Sequence, residues 1–454
     1  MPHGNMIGPT RLLTELSKIV KRAKADGASA CAHAKIRRVF RFADEAIHQD
    51  LRQESATVTV KVIQGRRVGV AGTDTLDSRS LERCVQAAQE IAKHSPTQAD
   101  VPDLPRAYRL ITSADYLKAT ARLSPVACVS SLKRLFQFCK GAGARLAGSW
   151  VTGEDEFGVA NSSGVACYAA STVAGVKLVT LYRKLTGFAG GVHRSAGGVD
   201  CDALLRRSLR QSLHREEPVT LPLGAYEVIL EPEAVAELVT WLGYTAFGAK
   251  SVEERTSCLA GRMGEQLFAP SITIVDDGND PLGLRMPFDF EGTPKQRVVL
   301  IEQGKARGLV YDTTYGKRFR QPSTGHGMPH SDVEGPLPLH LAMKPGDATL
   351  ADMIRSCRRG LLIPRFHYVN GLLNPREALM TGLTREGTFL IEHGKVTKPV
   401  TTLRFTQSLL EAFSRVLAVS RQRQLVADPA QELGCAVVPA LHLAAFHFTG
   451  RSAG

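Results

Sequence analysis

LEPEAVAELVTWL, residues 230–242, is the stretch that decides the fold of the second half of this 454-residue chain. Four of its apolar residues recur at the spacing of one helix face, namely Val235, Leu238, Val239 and Leu242. Pro232 suits the first helical turn, where its missing N–H breaks no hydrogen bond. The pattern therefore predicts a helix over residues 232–247 whose apolar face packs into a core.

The same stretch is the first candidate for chemistry, because the hexapeptide PEAVAE (232–237) has the length of the His-Glu-x-x-x-His motif of zinc peptidases. Zinc binds imidazole, thiolate or carboxylate groups, and Pro232 offers none of them. Glu233 and Glu237 could ligate, but two carboxylates without imidazole make a poor zinc site. Residues five apart also point about 140° from each other on a regular helix. A helix without a metal explains the stretch in full.

The composition indicates a globular protein of two or three domains, since 454 residues exceed one ordinary core and 43% of them are hydrophobic. The nine cysteines are scattered and form no C-x-x-C pair, which is typical of reduced thiols in a cytoplasmic protein. We expect no signal peptide and no membrane span, because no apolar run has the length that either requires. A cytoplasmic location and no membrane contact are therefore expected.

The net charge of +13 lies almost entirely in the first half. Residues 1–220 carry 32 Lys and Arg against 20 Asp and Glu, whereas residues 221–454 carry 25 against 24. A basic half can meet nucleic acid or an acidic peptide, and a solvated surface is the simpler interpretation. Aromatic residues are sparse there and no recognition motif is visible, so we do not expect nucleic acid as a partner.

A change of composition at HREEPVTLPLG (214–224) predicts a linker, and the charge balance changes at the same place. We therefore predict two domains, residues 1–220 and 221–454, with the boundary near residue 220. Hairpin patterns recur in both halves, at VKVIQGRRVGV (60–70), LIEQGKARGLV (300–310) and LIEHGKVTKPV (390–400). Hairpins mixed with amphipathic helices in each half predict an α+β fold.

Three histidines, His326, His330 and His340, lie in the Gly/Pro-rich segment TGHGMPHSDVEGPLPLH (324–340). This composition predicts a surface loop, within a longer loop over residues 320–348. The spacing of the histidines matches no zinc motif, so loop histidines without a metal are the simpler interpretation.

The remaining signals are weaker. Cys435 lies in an apolar stretch, where a cysteine is usually a small buried hydrophobe. GAGARLAG (141–148) follows a predicted helix instead of a strand, which argues against dinucleotide binding. The sequence contains no phosphate-binding loop and no nucleophile elbow.

Eight segments together carry a family resemblance. In the first half they are VKVIQGRRVGVAGTDTLD (60–77), LERCVQAAQEIAKHS (81–95) and FGVANSSGVACYAAST (157–172). In the second half they are FAPSITIVDDG (268–278), FDFEGTPKQRVVLIEQGKARGLVYD (288–312), STGHG (323–327), RSCRRGLLIPR (355–365) and TFLIEHGKVTKPV (388–400). In their order and spacing these segments resemble the TldD/TldE family, whose TldE branch is also called PmbA. The resemblance runs over nearly the whole chain.

The resemblance implies a two-domain α+β protein that acts as a dimer. TldD-type chains carry His-Glu-x-x-x-His and a distant C-terminal cysteine as zinc ligands and cleave peptides, whereas TldE-type chains pair with them and lack the histidines. Here Pro232 and Glu237 occupy the places of the two histidines. Glu233 occupies the place of the general base, and Cys435 that of the third ligand. The resemblance thus implies a TldE/PmbA-like chain with no metal of its own, and zinc in a TldD-like partner.

We therefore expect a non-catalytic subunit of a cytoplasmic metalloprotease that handles unfolded proteins or modified peptides, with a homodimer as a further possible assembly. Two alternatives stay open. A stand-alone peptidase would need His326, His330 or His367 to approach Cys435. A regulator that binds nucleic acid or a DNA-associated protein through the basic half agrees with the family's older description as a gyrase modulator.

Overall fold

The computed structural model describes residues 6–101, 103–430 and 434–451. Within these residues the chain forms one seven-stranded and one thirteen-stranded β-sheet, with helices packed on both. The first sheet is antiparallel except for one parallel pair, and the second contains two parallel pairs. The α+β fold predicted from the sequence is confirmed.

The first sheet and its helices are built from residues 9–212. The elements in chain order are α1 (Pro9–Arg22), β1 (Gly27–Ala43), β2 (Ala46–Gln64), β3 (Arg67–Thr73), α2 (Ser78–His94), β4 (Arg109–Asp115), α3 (Lys118–Ala121), α4 (Pro125–Gly141), β5 (Arg145–Asn161), β6 (Ala166–Tyr182), β7 (Leu185–His193), a 3₁₀ turn (Ala196–Gly198) and α5 (Cys201–Ser212).

The first sheet has the strand order β3-β2-β1-β5-β6-β4, and β7 pairs with β6. The predicted hairpin is present, since β2 turns into β3 between Gln64 and Arg67. Gly65 makes this turn with a φ of 59°, a conformation that costs glycine little. Alternate residues of β2 are fully buried in the core that α1 and α2 cover, namely Val58, Val60 and Val62.

The second sheet and its helices are built from residues 224–451. The elements in chain order are β8 (Gly224–Leu230), α6 (Pro232–Ala246), α7 (Ala249–Glu253), β9 (Ile274–Asp276), β10 (Val298–Glu302), β11 (Lys305–Ala306), α8 (Thr313–Phe319), β12 (His340–Met343), α9 (Leu350–Ser356), β13 (Arg359–Ile363), β14 (Arg365–Asn374), a 3₁₀ turn (Pro375–Glu377), β15 (Leu379–Arg385), β16 (Phe389–Glu392), β17 (Lys395–Pro399), β18 (Leu403–Ser408), α10 (Leu409–Ser414), β19 (Val416–Val426) and β20 (Cys435–Arg451).

The strand β20 organises the second sheet, because it pairs with β12, β8, β18 and β19 along its length. The helix α6 packs across this sheet and confirms the prediction made from its apolar spacing. All four stripe residues are fully buried in the largest core cluster of the described residues, namely Val235, Leu238, Val239 and Leu242. The opposite face of the sheet carries a smaller core cluster that includes Met353 of α9.

Each described strand pairs within its own sheet, and the change from one sheet to the other falls between α5 and β8. The predicted boundary at residue 220 lies in this segment. The two halves are nevertheless closely packed, since one apolar cluster contains residues of both. Met286, Phe288 and Phe290 of the second half pack there against Val159 and Cys167 of the first.

The prediction of a surface loop over residues 320–348 is wrong, because this segment contains a strand and buried histidines. His340 begins the strand β12, and His326 and His340 are only 1% and 4% exposed. The Gly/Pro-rich composition misled the prediction, because the segment folds back beside β9, where Asp276 accepts hydrogen bonds from it. In the described part of the chain, no helix is both long and apolar enough to cross a membrane.

Candidate active-site helix

The entrance of α6 presents two carboxylates at the point where β8 ends. Pro232 occupies the first helical turn, as predicted, and Glu231 precedes it as the N-cap residue. Glu231 and Glu233 are only 7% and 9% exposed. Two buried carboxylates so close together need a cationic partner, because an unpaired buried charge is strongly unfavourable.

Arg207 of α5, which belongs to the first half of the chain, supplies that charge. Its Nη1 donates to Glu233 Oε1 at 3.1 Å and its Nη2 to Glu233 Oε2 at 2.9 Å, so the guanidinium grips the carboxylate with two parallel hydrogen bonds. The same Nη2 also donates to Glu231. Gln424 of β19 adds a third donor to Glu233, with Nε2 3.1 Å from Oε1.

These contacts set the electrostatics of the helix entrance. Burial acts to lower the pKa of Arg207, but the charges of Glu233 and Glu231 outweigh it and raise that pKa above its usual value. Burial raises the pKa of Glu231, and the charge of Arg207 opposes the rise. A general base must have a carboxylate oxygen ready to take a proton from water. In this arrangement the oxygens of Glu233 are engaged by Arg207 and Gln424 instead.

The family resemblance relates Pro232 and Glu237 to zinc ligands. Pro232 has no ligand atom. Glu237 lies four residues after Glu233, on the same side of the helix, and is half-buried. The entrance thus offers carboxylates without imidazole, and Glu231 and Glu233 are already bound to the guanidinium of Arg207. This donor set does not fit a catalytic zinc ion.

Cys435, which the family resemblance relates to the third ligand, lies away from α6. Along β20, Ala436 and Val438 belong to the core beneath α6, whereas Val437 belongs to a different cluster. Because side chains alternate along a strand, Cys435 shares the face of Val437. Its Sγ accepts a hydrogen bond from the Leu284 N–H at 3.4 Å. Burial raises the pKa of this thiol to about 12.

His326 and His330 make contacts through their imidazoles, whereas His340 is held through its backbone N–H. His326 Nε2 lies 2.7 Å from Asp276 Oδ1, and the His340 N–H donates to Asp276 Oδ2 at 2.7 Å. His330 Nε2 lies 3.1 Å from Ser29 Oγ, which links the two halves. His340, and not His326, His330 or His367, is the register partner of Cys435 in the neighbouring strand.

The charges around Asp276 are balanced within the second half. Burial acts to raise the pKa of Asp276, but Lys295 and His326 outweigh it and hold that pKa well below its usual range. Burial and the charge of Lys295 lower the pKa of His326. Burial, with the same lysine, lowers the pKa of His340 to about 3. The two imidazoles are therefore neutral near pH 7.

A cleft of about 750 Å³ opens beside the entrance of α6. Its lining comes from both halves of the chain and is rich in cationic side chains, namely Arg207, Arg210, Arg421 and Arg423. Glu231 and Pro232 form part of the same wall. No sequence pattern pointed to Arg207 or Gln424, because these residues lie 26 and 191 positions from Glu233 along the chain.

The second sheet together with α6 corresponds to a known class of domain. Residues 223–450 match the family described as "PmbA/TldA metallopeptidase C-terminal domain". The match spans half of the chain, and with the fold it defines a metallopeptidase-type protein. The chain belongs to the PmbA/TldD family.

Individual relatives agree with this assignment. The structure of TldE from Thermococcus kodakarensis superposes with a TM-score of 0.86 at 21% identity, over 96% of this chain and 100% of that one, which shows a common fold. A TldD metalloprotease homologue of Haemophilus influenzae is 28% identical over 233 residues, 50% of this chain and 48% of that protein. A metalloprotease of Methanothermobacter thermautotrophicus is 25% identical over 289 residues, 61% of this chain and 62% of that one. The chain thus spans about half the length of the TldD homologue that it matches.

Proposed function

We propose that this chain is a TldE-like, non-catalytic subunit of a cytoplasmic metalloprotease, and that a TldD-like partner supplies the zinc and the general base. The observation that carries the proposal is the entrance of α6. Pro232 provides no ligand there, and Arg207 and Gln424 engage the carboxylate that would act as base. A chain that keeps a peptidase fold without usable ligands is most simply explained as the supporting member of a pair.

The cleft beside α6 supports a role in holding a peptide. It is large enough for several residues of extended chain, and Arg210 and Arg421 in its lining suit backbone carbonyls and acidic side chains. The expected substrates are unfolded proteins or modified peptides. The nine free cysteines agree with a reducing compartment.

Reconstitution tests the proposal. The purified chain is expected to hydrolyse no unfolded reporter peptide alone, and to do so after addition of a TldD-like chain with an intact His-Glu-x-x-x-His. Replacing the glutamate of the partner's motif should abolish the activity of the mixture, because that residue would move the proton. Hydrolysis by the purified chain alone, after treatment with a chelator and readdition of zinc, would instead support a stand-alone peptidase.

A further inference from the structure

A second group of metal-ligating side chains lies in the second half, away from α6. The carboxylate of Glu227, the thiol of Cys357 and the imidazole of His442 place one ligand atom each within 4.8 Å of one another. His442 Nε2 lies 2.6 Å from Glu227 Oε1. Three different ligand chemistries therefore converge on one point, although 215 residues separate Glu227 from His442 along the chain.

The fold explains why these residues meet. Ile229 of β8 is the register partner of His442 of β20, so alternation puts Glu227, two residues before Ile229, on the face of His442. Cys357 is the C-cap residue of α9, which covers the same face. Gly360 of β13 leaves room for the thiol, because a Cβ at this position would lie 2.7 Å from Cys357 Sγ.

The surroundings resemble those of a metal site more than those of a surface ion pair. Cys357 and His442 are 0% and 2% exposed, within an apolar cluster that includes Ile229, Met353 and Phe389. The side chain of Glu227 is 25% exposed, so the group is open to solvent on one side. The imidazole of His442 is the partner of this carboxylate, since burial of a carboxylate without one would be unfavourable.

We propose that Glu227, Cys357 and His442 bind a divalent transition-metal ion, with Zn²⁺ as the favoured ion. Thiolate, imidazole and carboxylate are the ligands that zinc takes in proteins, at about 2.0–2.3 Å. A tetrahedral ion needs ligand atoms about 3.3–3.8 Å apart, so Glu227 and His442 would separate by about 1 Å on binding. Three protein ligands leave the fourth position to water, on the exposed side of Glu227.

This site is independent of the proposed subunit function. It shares no residue with the entrance of α6 or with Cys435, and it departs from the expectation that the chain holds no metal. Binding would release the thiol proton of Cys357 to solvent as the thiolate–metal bond forms. The ion would join α9 to the two central strands of the sheet.

Cobalt titration of the full-length chain tests the site. After treatment with a chelator, the protein is expected to bind one Co²⁺ per chain and to show the charge-transfer absorption of a cobalt–thiolate bond. Zn²⁺ should displace the cobalt and raise the melting temperature. Cys357→Ser should remove the absorption, and Glu227→Gln and His442→Asn should weaken binding more than about tenfold.

Two other cysteines of the same half provide the controls. Cys258→Ser and Cys435→Ser should leave the cobalt spectrum unchanged, since neither thiol belongs to the group. Circular dichroism checks that each variant is folded, and Glu227→Gln decides the question if Cys357→Ser is not. Absence of the thiolate band, a band that survives Cys357→Ser, or a band lost only in Cys435→Ser would each overturn the proposal.

Discussion

Two networks of buried carboxylates in the second half obtain their neutralising partners in different ways. At the entrance of α6, Glu231 and Glu233 depend on Arg207, a permanent cation contributed by the first half of the chain. Beside β9, Asp276 depends on His326 and Lys295, both of the second half. The first network ties the two halves together. The second is self-contained, and one of its partners is an imidazole whose pKa burial and the charge of Lys295 lower.

The largest expected effect comes from removing the shared cation. Arg207→Met should lower the free energy of unfolding by about 3–5 kcal/mol, because two buried carboxylates lose their counter-charge. Thermal unfolding of the variant measures the loss. Arg206→Met, on the exposed side of the same helix, is the matched control and should change little. Adding Glu231→Gln and Glu233→Gln to Arg207→Met should restore much of the stability, and a failure to do so would mean that packing, not charge, is the role of Arg207.

An intermediate effect is expected from pH. The pKa of His326 is lower in the folded chain than its usual value, so below about pH 6.5 the unfolded chain binds a proton that the folded chain does not. The contribution of His326 is therefore present above that pH and lost as the pH falls, by at most about 1.4 kcal/mol per pH unit. Urea unfolding between pH 7 and pH 5 measures the slope.

His326→Gln should reduce that slope, whereas His94→Gln should not, because His94 is exposed on α2. An unchanged slope in His326→Gln would assign the acid sensitivity to other groups. Titration of His326 would then not distinguish the network around Asp276 from the network around Arg207.

The smallest effect is expected from Glu233 itself. Glu233→Gln keeps an oxygen for Arg207 and leaves Glu231 as its charged partner, so the subunit pair should stay assembled. The peptidase activity of the mixture with a TldD-like chain should stay within about threefold, which is under 1 kcal/mol of barrier. A loss of about a hundredfold with the pair intact would make the helix catalytic and contradict the proposed function.

Local patterns predicted the elements whose contacts are near in sequence. The apolar stripe of α6 and the hairpin at Gly65 follow from spacing and turn chemistry alone, and both are present. The strand β1 gave no clear signal, because both of its edges are paired and its burial follows its partners β2 and β5. The loop histidines were misplaced for a related reason. Their burial depends on Asp276, 50 residues from His326, and composition does not encode that contact.

The candidate site was predictable only as a list of positions. The sequence places Pro232 and Glu233 at the start of a helix, which is correct, but their chemistry is decided by Arg207 and Gln424. In the same way the grouping of Glu227, Cys357 and His442 arises from the pairing of β8 with β20, which no local pattern reports.

The late position of β20 bears on how the second half folds. This strand pairs with four others, and its contact with β8 spans 215 residues of chain. During synthesis, the edges of β8 and β12 that pair with β20 therefore stay unpaired until almost all of the domain has left the ribosome. Contacts of such long range make folding slow and expose the nascent chain to aggregation. We expect this half to depend on chaperones in the cell more than the first half, whose long hairpin of β1 and β2 joins residues that are close in sequence.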